Sequence, residues 1–290
     1  MSALAAGKVI AVVVTYHPAL DLLARNVQAL AAQLAHVVVV DNSEQPEQAA
    51  ALRQLLSAEG RVTYIDNHGN QGIAHALNRG AEFALRSGAD WILTMDQDSV
   101  LAERYADSLL QFIERQAVPG RVASVGTPFS SGGRIFADTP HGGEVRALIT
   151  SGNLLKLSAL QEVGFFREEF FIDYVDFDLC FRLRKAGYLL LECHDALFEH
   201  QLGAPQRSSL FGLQFSCSNY SPLRSYYMSR NRMVFFRENM FFDPRFVLRG
   251  MRDMLKETLK IMLGERQKWR KLRAILAGVR DGLLMRLGKH

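Results

Sequence analysis

Four times within its first hundred residues the chain alternates between a short aliphatic, β-branched run and a stretch of helical periodicity, and this alternation leaves few folds open. Strands are predicted at Lys8 to Thr15, His36 to Asp41, Arg61 to Ile65 and Trp91 to Met95. Between them Leu22, Leu23, Val27, Leu30 and Leu34 step at helical spacing, as do Leu52, Leu55 and Leu56, then Ala74, Leu77, Ala81 and Leu85. Strands apolar on both faces and separated by helices belong in a mostly parallel sheet flanked by helices, so an α/β, doubly wound, Rossmann-like architecture is expected. Such sheets bind ligands at the carboxyl ends of their strands, which should bring Thr15 and Tyr16, Asp41 and Asn42, and Asp96 to Asp98 to one edge.

After Ser99 the pattern loosens. A helix is expected near Glu103 to Glu114, a strand near Arg121 to Val125, and a glycine-rich loop from Ser130 to Gly143 that would serve as a lid or acceptor contact. A helix from Val175 to Ala186, stopped by Gly187, and a strand from Tyr188 to Glu192 lead to Phe198-Glu199-His200. The last sixty residues read as two amphipathic helices, one with a stripe of Val247, Met251, Met254, Leu255, Leu259 and Met262, the other with Trp269, Leu272, Leu276, Val279 and Leu283.

Charge is unevenly spread. From Met233 to His290 there are 14 Lys/Arg against 6 Asp/Glu, a local net of +8, so the remainder carries −4 and the overall +4 conceals an acidic body with a basic tail. Three partners suit that tail: the catalytic body, a second subunit, or an anionic membrane surface. Nucleic acid is not expected, because no recognition motif accompanies the basic residues. No apolar stretch approaches the length of a membrane span, residues Met1 to Lys8 lack a basic leader, and Cys180, Cys193 and Cys217 have no metal-ligand spacing. A cytoplasmic protein is expected, with peripheral attachment to the inner face of the membrane as the second reading.

Chemistry concentrates in acidic clusters. Asp96 and Asp98, separated by one residue after a buried strand, can approach one hard cation such as Mg²⁺ or Mn²⁺ from the same side of a turn, or Asp98 or Ser99 can simply cap a helix with Asp96 solvated. Asp41 ends the second strand at the same predicted edge. Asn67 to Gly72 follows the third, with Asn70 and Asn78 as amide partners for hydroxyls or a base and Gly72 permitting close backbone approach. A further group, Asp173, Asp176 and Asp178, sits at a helix start, where capping and a general-base role both fit. A dinucleotide-dependent oxidoreductase is disfavoured, since Thr15-Tyr16-His17-Pro18 stands where G-x-G-x-x-G would.

In order and spacing, Val12-Val13-Val14-Thr15-Tyr16, Val39-Val40-Asp41-Asn42-Ser43, Asn70-Gln71-Gly72-Ile73-Ala74-x-Ala76-Leu77-Asn78-x-Gly80, Asp96-Gln97-Asp98-Ser99 and Asp176-x-Asp178-Leu179-x-x-Arg182-Leu183-x-x-x-Gly187 resemble the inverting family 2 glycosyltransferases. The resemblance covers roughly the first 200 residues. Thr150-Ser151-Gly152-Asn153-Leu154, Phe171-Ile172-Asp173-Tyr174-Val175-Asp176 and Tyr226-Tyr227-x-x-Arg230-Asn231 look like its bacterial rhamnosyltransferase branch.

The resemblance implies a GT-A fold with a C-terminal helical appendage. It divides the chain into a catalytic domain, 1–232, with a nucleotide-sugar half of about 1–100 and an acceptor half of about 101–232, and a basic tail, 233–290. It implies dTDP-L-rhamnose as donor, with a UDP-hexose as alternative, and a polysaccharide or lipid-linked acceptor. By position, Thr15 and Asp41 contact the base, and Tyr16, Asn70, Gly72, Asn78, Gln97 and Arg230 also fall to the donor. Asp96 serves ribose or metal, Asp98 and His200 hold the cation, and Asp176 is the catalytic base. Ser151, Gly152, Asn153 and Asp173 fall to the acceptor. Many family members carry Glu-Asp where this chain has Val175-Asp176; the change is shared with the rhamnosyl branch. A rival from another class is a sugar-nucleotide or glycan-binding protein that keeps the fold without the chemistry.

Overall fold

The structure is a computed structural model that describes residues 8–57, 59–200, 206–210, 213–217 and 219–289. The amino-terminal stretch up to Gly7, together with Gln201 and Gly203 after the histidine strand, lies outside the described residues, as does the side chain of Cys217.

The alternation is present as β1 (Val9–Thr15), α1 (Leu20–Ala31), β2 (His36–Asp41), α2 (Pro46–Ser57), β3 (Val62–Asp66), α3 (Ile73–Arg86) and β4 (Trp91–Asp96). It continues through β5 (Ser99–Leu101), α4 (Tyr105–Glu114), β6 (Val122–Gly126), β7 (Phe129–Ser131), β8 (Arg134–Phe136), β9 (Gly143–Glu144) and β10 (Asn153–Lys156). After these come α5 (Leu157–Val163), α6 (Val175–Lys185), β11 (Leu189–Glu192) and β12 (Phe198–His200). The principal sheet has eight strands in the order β3-β2-β1-β4-β10-β6-β11-β9. The first four run parallel, as do β6 and β11, whereas β10 is antiparallel to both its neighbours. Because β1 and β2 are covered on both faces, nearly every side chain in them is buried, as parallel strands require. Gly80 lets α3 lie against β1: a Cβ there would overlap the Val12 side chain.

A second, four-stranded sheet, β5-β12-β7-β8, stands beside the first. The glycine-rich stretch expected as a loop thus carries β7, β8 and β9. Its glycines make the β7–β8 turn, Gly132 and Gly133 both having positive φ, while Phe129 and Phe136 stack across the hairpin with ring centres 5.0 Å apart.

The described residues fall into two compact units. One comprises everything up to Glu168 and from Val175 to His200; the other joins Glu169–Tyr174 to the residues after His200. The second unit holds the hairpin of β13 (Gln206–Leu210) and β14 (Leu213–Cys217) and three helices, α7 (Pro222–Asn239), α8 (Pro244–Gly264) and α9 (Lys268–Leu283). The amphipathic pattern gave α8 and α9 but not α7, which shows no one-sided apolar stripe because it is buried nearly all round.

In α9 the packed face is not the apolar stripe. Gly278 and Gly282, four apart, bring α9 so close to α7 that a Cβ on either would overlap the carbonyl oxygens of Tyr226 and Arg230. Trp269, Leu276 and Leu283 consequently face outward.

Candidate metal and donor site

The parallel register sets Val14 level with Asp96, Thr15 level with Asp41 and Asp41 level with Asp66, so the acidic strand ends come to one edge. Asp96 closes β4; its carbonyl accepts the Nδ2 of buried Asn26 at 2.8 Å and its N–H donates to Ser151 Oγ at 3.2 Å. His200 arrives from a hundred residues away because β12 pairs antiparallel with β5 and sets it opposite Ser99. Asp96, Asp98 and His200 each offer a ligand atom within 4.8 Å of the others, all three partly exposed. Burial lowers the pKa of His200 against the opposing pull of Asp98, which keeps its imidazole neutral near pH 7. Two carboxylates and a neutral imidazole are a donor set suited to a divalent cation, and solvent access leaves coordination positions for phosphate oxygens.

A hydroxyl relay supports this cluster from below. Ser151 Oγ donates to Ser99 Oγ at 3.0 Å, and Ser99 Oγ lies 2.7 Å from His200 Nδ1. Ser151, Gly152 and Asn153, expected at the acceptor, are buried beneath the acidic turn, Ser151 also lining a groove beside it. Gly152 donates its N–H to the Thr94 carbonyl and accepts from the Tyr105 hydroxyl at 2.6 Å, and Asn153 accepts from Ser124 Oγ.

Asp41 is fully buried: Oδ1 accepts from Thr15 Oγ1 at 2.8 Å and from the Ser43 hydroxyl and N–H, and Oδ2 from the Tyr64 hydroxyl at 3.1 Å. The Tyr64 phenol is pushed upward by burial and by the neighbouring Asp41 charge. Thr15 and Asp41, expected to touch a base directly, here organise the strand ends. Tyr16 stands at the edge, half exposed, its N–H donating to Gln97 Oε1 at 2.7 Å. Asn70 Oδ1 accepts the Gly72 N–H at 3.0 Å, forming the turn that starts α3 with Gly72 at φ 90°. Asn78, expected at the donor, is directed to a loop of its own unit: it bonds the N–H and carbonyl of Phe166 and the carboxylate of Glu168.

Asp176 lies in the first turn of α6, partly exposed, its Oδ1 accepting the Phe177 N–H at 2.8 Å. Asp178 has a different part. Its buried carboxylate meets Arg167 and Arg182, and Arg182 donates onward to the carbonyls of Val163 and Phe165. One turn after Asp176, Cys180 Sγ accepts the Leu148 N–H. Leu148 lines a groove of about 410 Å³ that also includes Phe129, Phe136, Asp138, Ile149 and Ser151. The free thiols of Cys180 and Cys193 are buried and pushed up to about 12 and about 11, which disfavours thiolate chemistry.

Asp173 and Arg230 lie in the second unit. Asp173 is clasped by the Arg224 guanidinium at 2.9 and 3.1 Å. The Arg230 guanidinium, expected to grip a diphosphate, is buried and donates to the carbonyls of Glu169, Phe170 and Gly288. Beside it Asn231 Nδ2 donates to the carbonyls of Phe170, Ile172 and Asp173. The Arg230-Asn231 pair therefore clamps the 169–174 segment. Ser43 and Ser99 stand in the sequence motifs and Tyr64 in the third strand, but none of the three was expected to have a part in the site, although Ser99 and Ser43 each follow within two residues of a singled-out aspartate.

Among known proteins, residues 11–172 match the family model described as glycosyl transferase family 2. The chain is 30% identical over 256 residues to a dTDP-rhamnosyl transferase, RfbF, of Shigella flexneri, a match covering 79% of this chain and 80% of that protein. It superposes with a TM-score of 0.59 and 15% identity on a crystal structure of GalNAc-T7 with UDP, GalNAc and Mn²⁺. That match covers 78% of this chain but 48% of the other, so the chain spans about half the length of that structure, and the likeness speaks for the GT-A fold alone. With more than half of its residues inside the family match and a relative aligned over most of both chains, the protein belongs to glycosyl transferase family 2 and is a glycosyltransferase.

Proposed function

We propose that the protein is an inverting rhamnosyltransferase that moves L-rhamnose from dTDP-L-rhamnose to a hydroxyl of a polysaccharide or lipid-linked saccharide. The observation that carries the metal-dependent part is the meeting of Asp96, Asp98 and His200 at the carboxyl edge of the sheet. The donor sugar is supported by the 30% identity to a protein named for dTDP-rhamnosyl transfer.

In this reading Asp98 and His200, with Asp96 beside them, hold Mn²⁺ or Mg²⁺. The cation, when bound, neutralises the charge of the departing diphosphate. Tyr16, Gln97 and Asn70 border the nucleotide, while Thr15 and Asp41 hold the strand ends that present them. Asp176 takes the proton of the acceptor hydroxyl on the face opposite the leaving group. The groove floored by Leu148 and Ile149 and bounded by Phe129 and Phe136 is the proposed acceptor approach, its apolar walls suited to the ring faces of a saccharide. The division into a donor half of about 1–100, an acceptor half of about 101–232 and a tail, 233–290, belongs to the same proposal.

The test is to incubate the purified protein and Mn²⁺ with dTDP-L-rhamnose and, separately, with UDP-hexoses, and to measure release of the nucleoside diphosphate. Turnover with dTDP-L-rhamnose alone supports the reading. Turnover with a UDP-hexose alone replaces the donor, a second reading prompted by the UDP in the GT-A neighbour. Full activity in excess chelator removes the metal. A binding protein without chemistry would show the same physiological activity in Asp176→Asn as in the wild type.

A further inference from the structure

The second unit leaves an apolar stripe uncovered on α8. The inner face of this helix is made by Val247, which is buried, by Gly250, whose missing Cβ leaves room for the Phe236 ring, and by Met254, Thr258 and Ile261, which line a partly open cavity. Leu248, Met251, Leu255, Leu259 and Leu263 recur every three or four residues on another face, and all are exposed, Leu255 by 62% and Leu259 by 54%. On the face that adjoins this stripe, away from the packed side, Arg245, Arg249, Arg252 and Lys256 recur at the same spacing and are exposed as well, Arg252 pairing with its neighbour Asp253. At the amino end of α8 stands Phe241, 99% exposed.

We infer that α8 is an interfacial helix that lies on an anionic membrane surface, its leucine stripe entering the boundary between headgroups and acyl chains and its cationic column meeting lipid phosphates. Two observations favour a bilayer over other occupants. Exposed leucines beside a single-signed column are the pattern of helices that rest in the interface plane, and a 21-residue helix presents about 30 Å of such a surface. A second copy docked antiparallel on the same stripe would set the two cationic columns side by side, where like charges oppose pairing. The inference goes beyond the proposed reaction, and its assay reads neither donor nor metal, so either can fail without the other.

The test uses the full chain and sedimented vesicles of phosphatidylglycerol and phosphatidylcholine, against vesicles of phosphatidylcholine alone. The wild type is expected to partition onto the anionic vesicles, less so as salt rises. The double variant Leu255→Ser/Leu259→Ser should lose partitioning about 100-fold, and Arg249→Gln/Lys256→Gln about 10-fold or more. All four positions are exposed, so circular dichroism should report an unchanged fold. Equal partitioning of wild type and both variants, or none by the wild type, would overturn the inference. So would a wild-type dimer that the leucine variant converts to monomer in sedimentation equilibrium without any vesicle binding, which would give the stripe to a second copy.

Discussion

Ser99 Oγ lies 2.7 Å from His200 Nδ1, although 101 residues separate the two. The antiparallel pairing of β5 with β12 makes the contact, and Ser151 donates to the same hydroxyl from below. A hydroxyl on one ring nitrogen fixes the orientation of a ligating imidazole. Ser99→Ala should therefore weaken Mn²⁺ binding by about 10- to 100-fold, as loss of such supporting contacts does elsewhere. Calorimetric titration with Mn²⁺ checks this; unchanged affinity would deny Ser99 a supporting part at the proposed cation site.

Asp176 and Asp178 are two residues apart and should respond differently. Asp176→Asn removes the proposed base and should lower transfer by about 10²- to 10⁴-fold while nucleotide-sugar affinity is kept. Asp178→Asn breaks the pairing with Arg167 and Arg182 that ties α6 to the 163–165 turn. Those arginines are partly exposed, so the cost should be about 1–3 kcal/mol of stability rather than the larger value of a fully buried pair. Steady-state kinetics and urea denaturation of both variants separate the roles.

Local periodicity made the parallel half of the fold legible, because each of its strands and helices carries its own burial pattern. Elements whose identity depends on distant partners were not. The three-residue strands β5, β7, β8 and β12 are too short for periodicity, and α7 is surrounded so completely that no polar face marks it. At the site, the aspartates were visible as residue types, but the burial of Asp41 under Thr15, Ser43 and Tyr64 was not, since Tyr64 reaches it only through the β2–β3 register. Arg230 read as a ligand for phosphate because sequence shows a guanidinium but not the three carbonyls that occupy it.

Glu192, which lines the same groove as Leu148 and Asp138, offers a test of it by pH. Burial alone would raise its carboxyl, but the Asp138 N–H, the Thr139 hydroxyl, His194 and the Thr139 N–H together hold it below its ordinary value of 4.5. A carboxylate lowered by folding adds stability that is fully present above the unfolded pKa and is lost as pH falls through the folded one. Asp138 works in the opposite sense, raised by burial and by Glu192, so the comparison belongs in an Asp138→Asn background. There, Glu192→Gln should cost clearly more stability at about pH 7 than at about pH 3. Urea denaturation at both values checks it, and an equal gap would deny Glu192 its charge-dependent hold on residues 138 and 139.

Gly152 connects packing to the proposed cation site most directly. Its φ is +71°, and a Cβ would stand 2.6 Å from Phe198 Cε1 and 2.7 Å from the Tyr105 hydroxyl. Gly152→Ala thus combines left-handed strain of about 1–2 kcal/mol with overpacking of about 1–3 kcal/mol. Gly133→Ala is the control: its φ is +76°, but nothing lies within 4 Å of the added carbon, so the strain alone should appear. Relief at Gly152 requires movement of Phe198, two residues before His200, or of Ser151, whose hydroxyl supports Ser99. Gly152→Ala should accordingly lose both stability and Mn²⁺ affinity, whereas Gly133→Ala loses stability alone. Thermal unfolding with and without Mn²⁺ distinguishes them: the upward shift produced by the cation should shrink in Gly152→Ala and persist in Gly133→Ala.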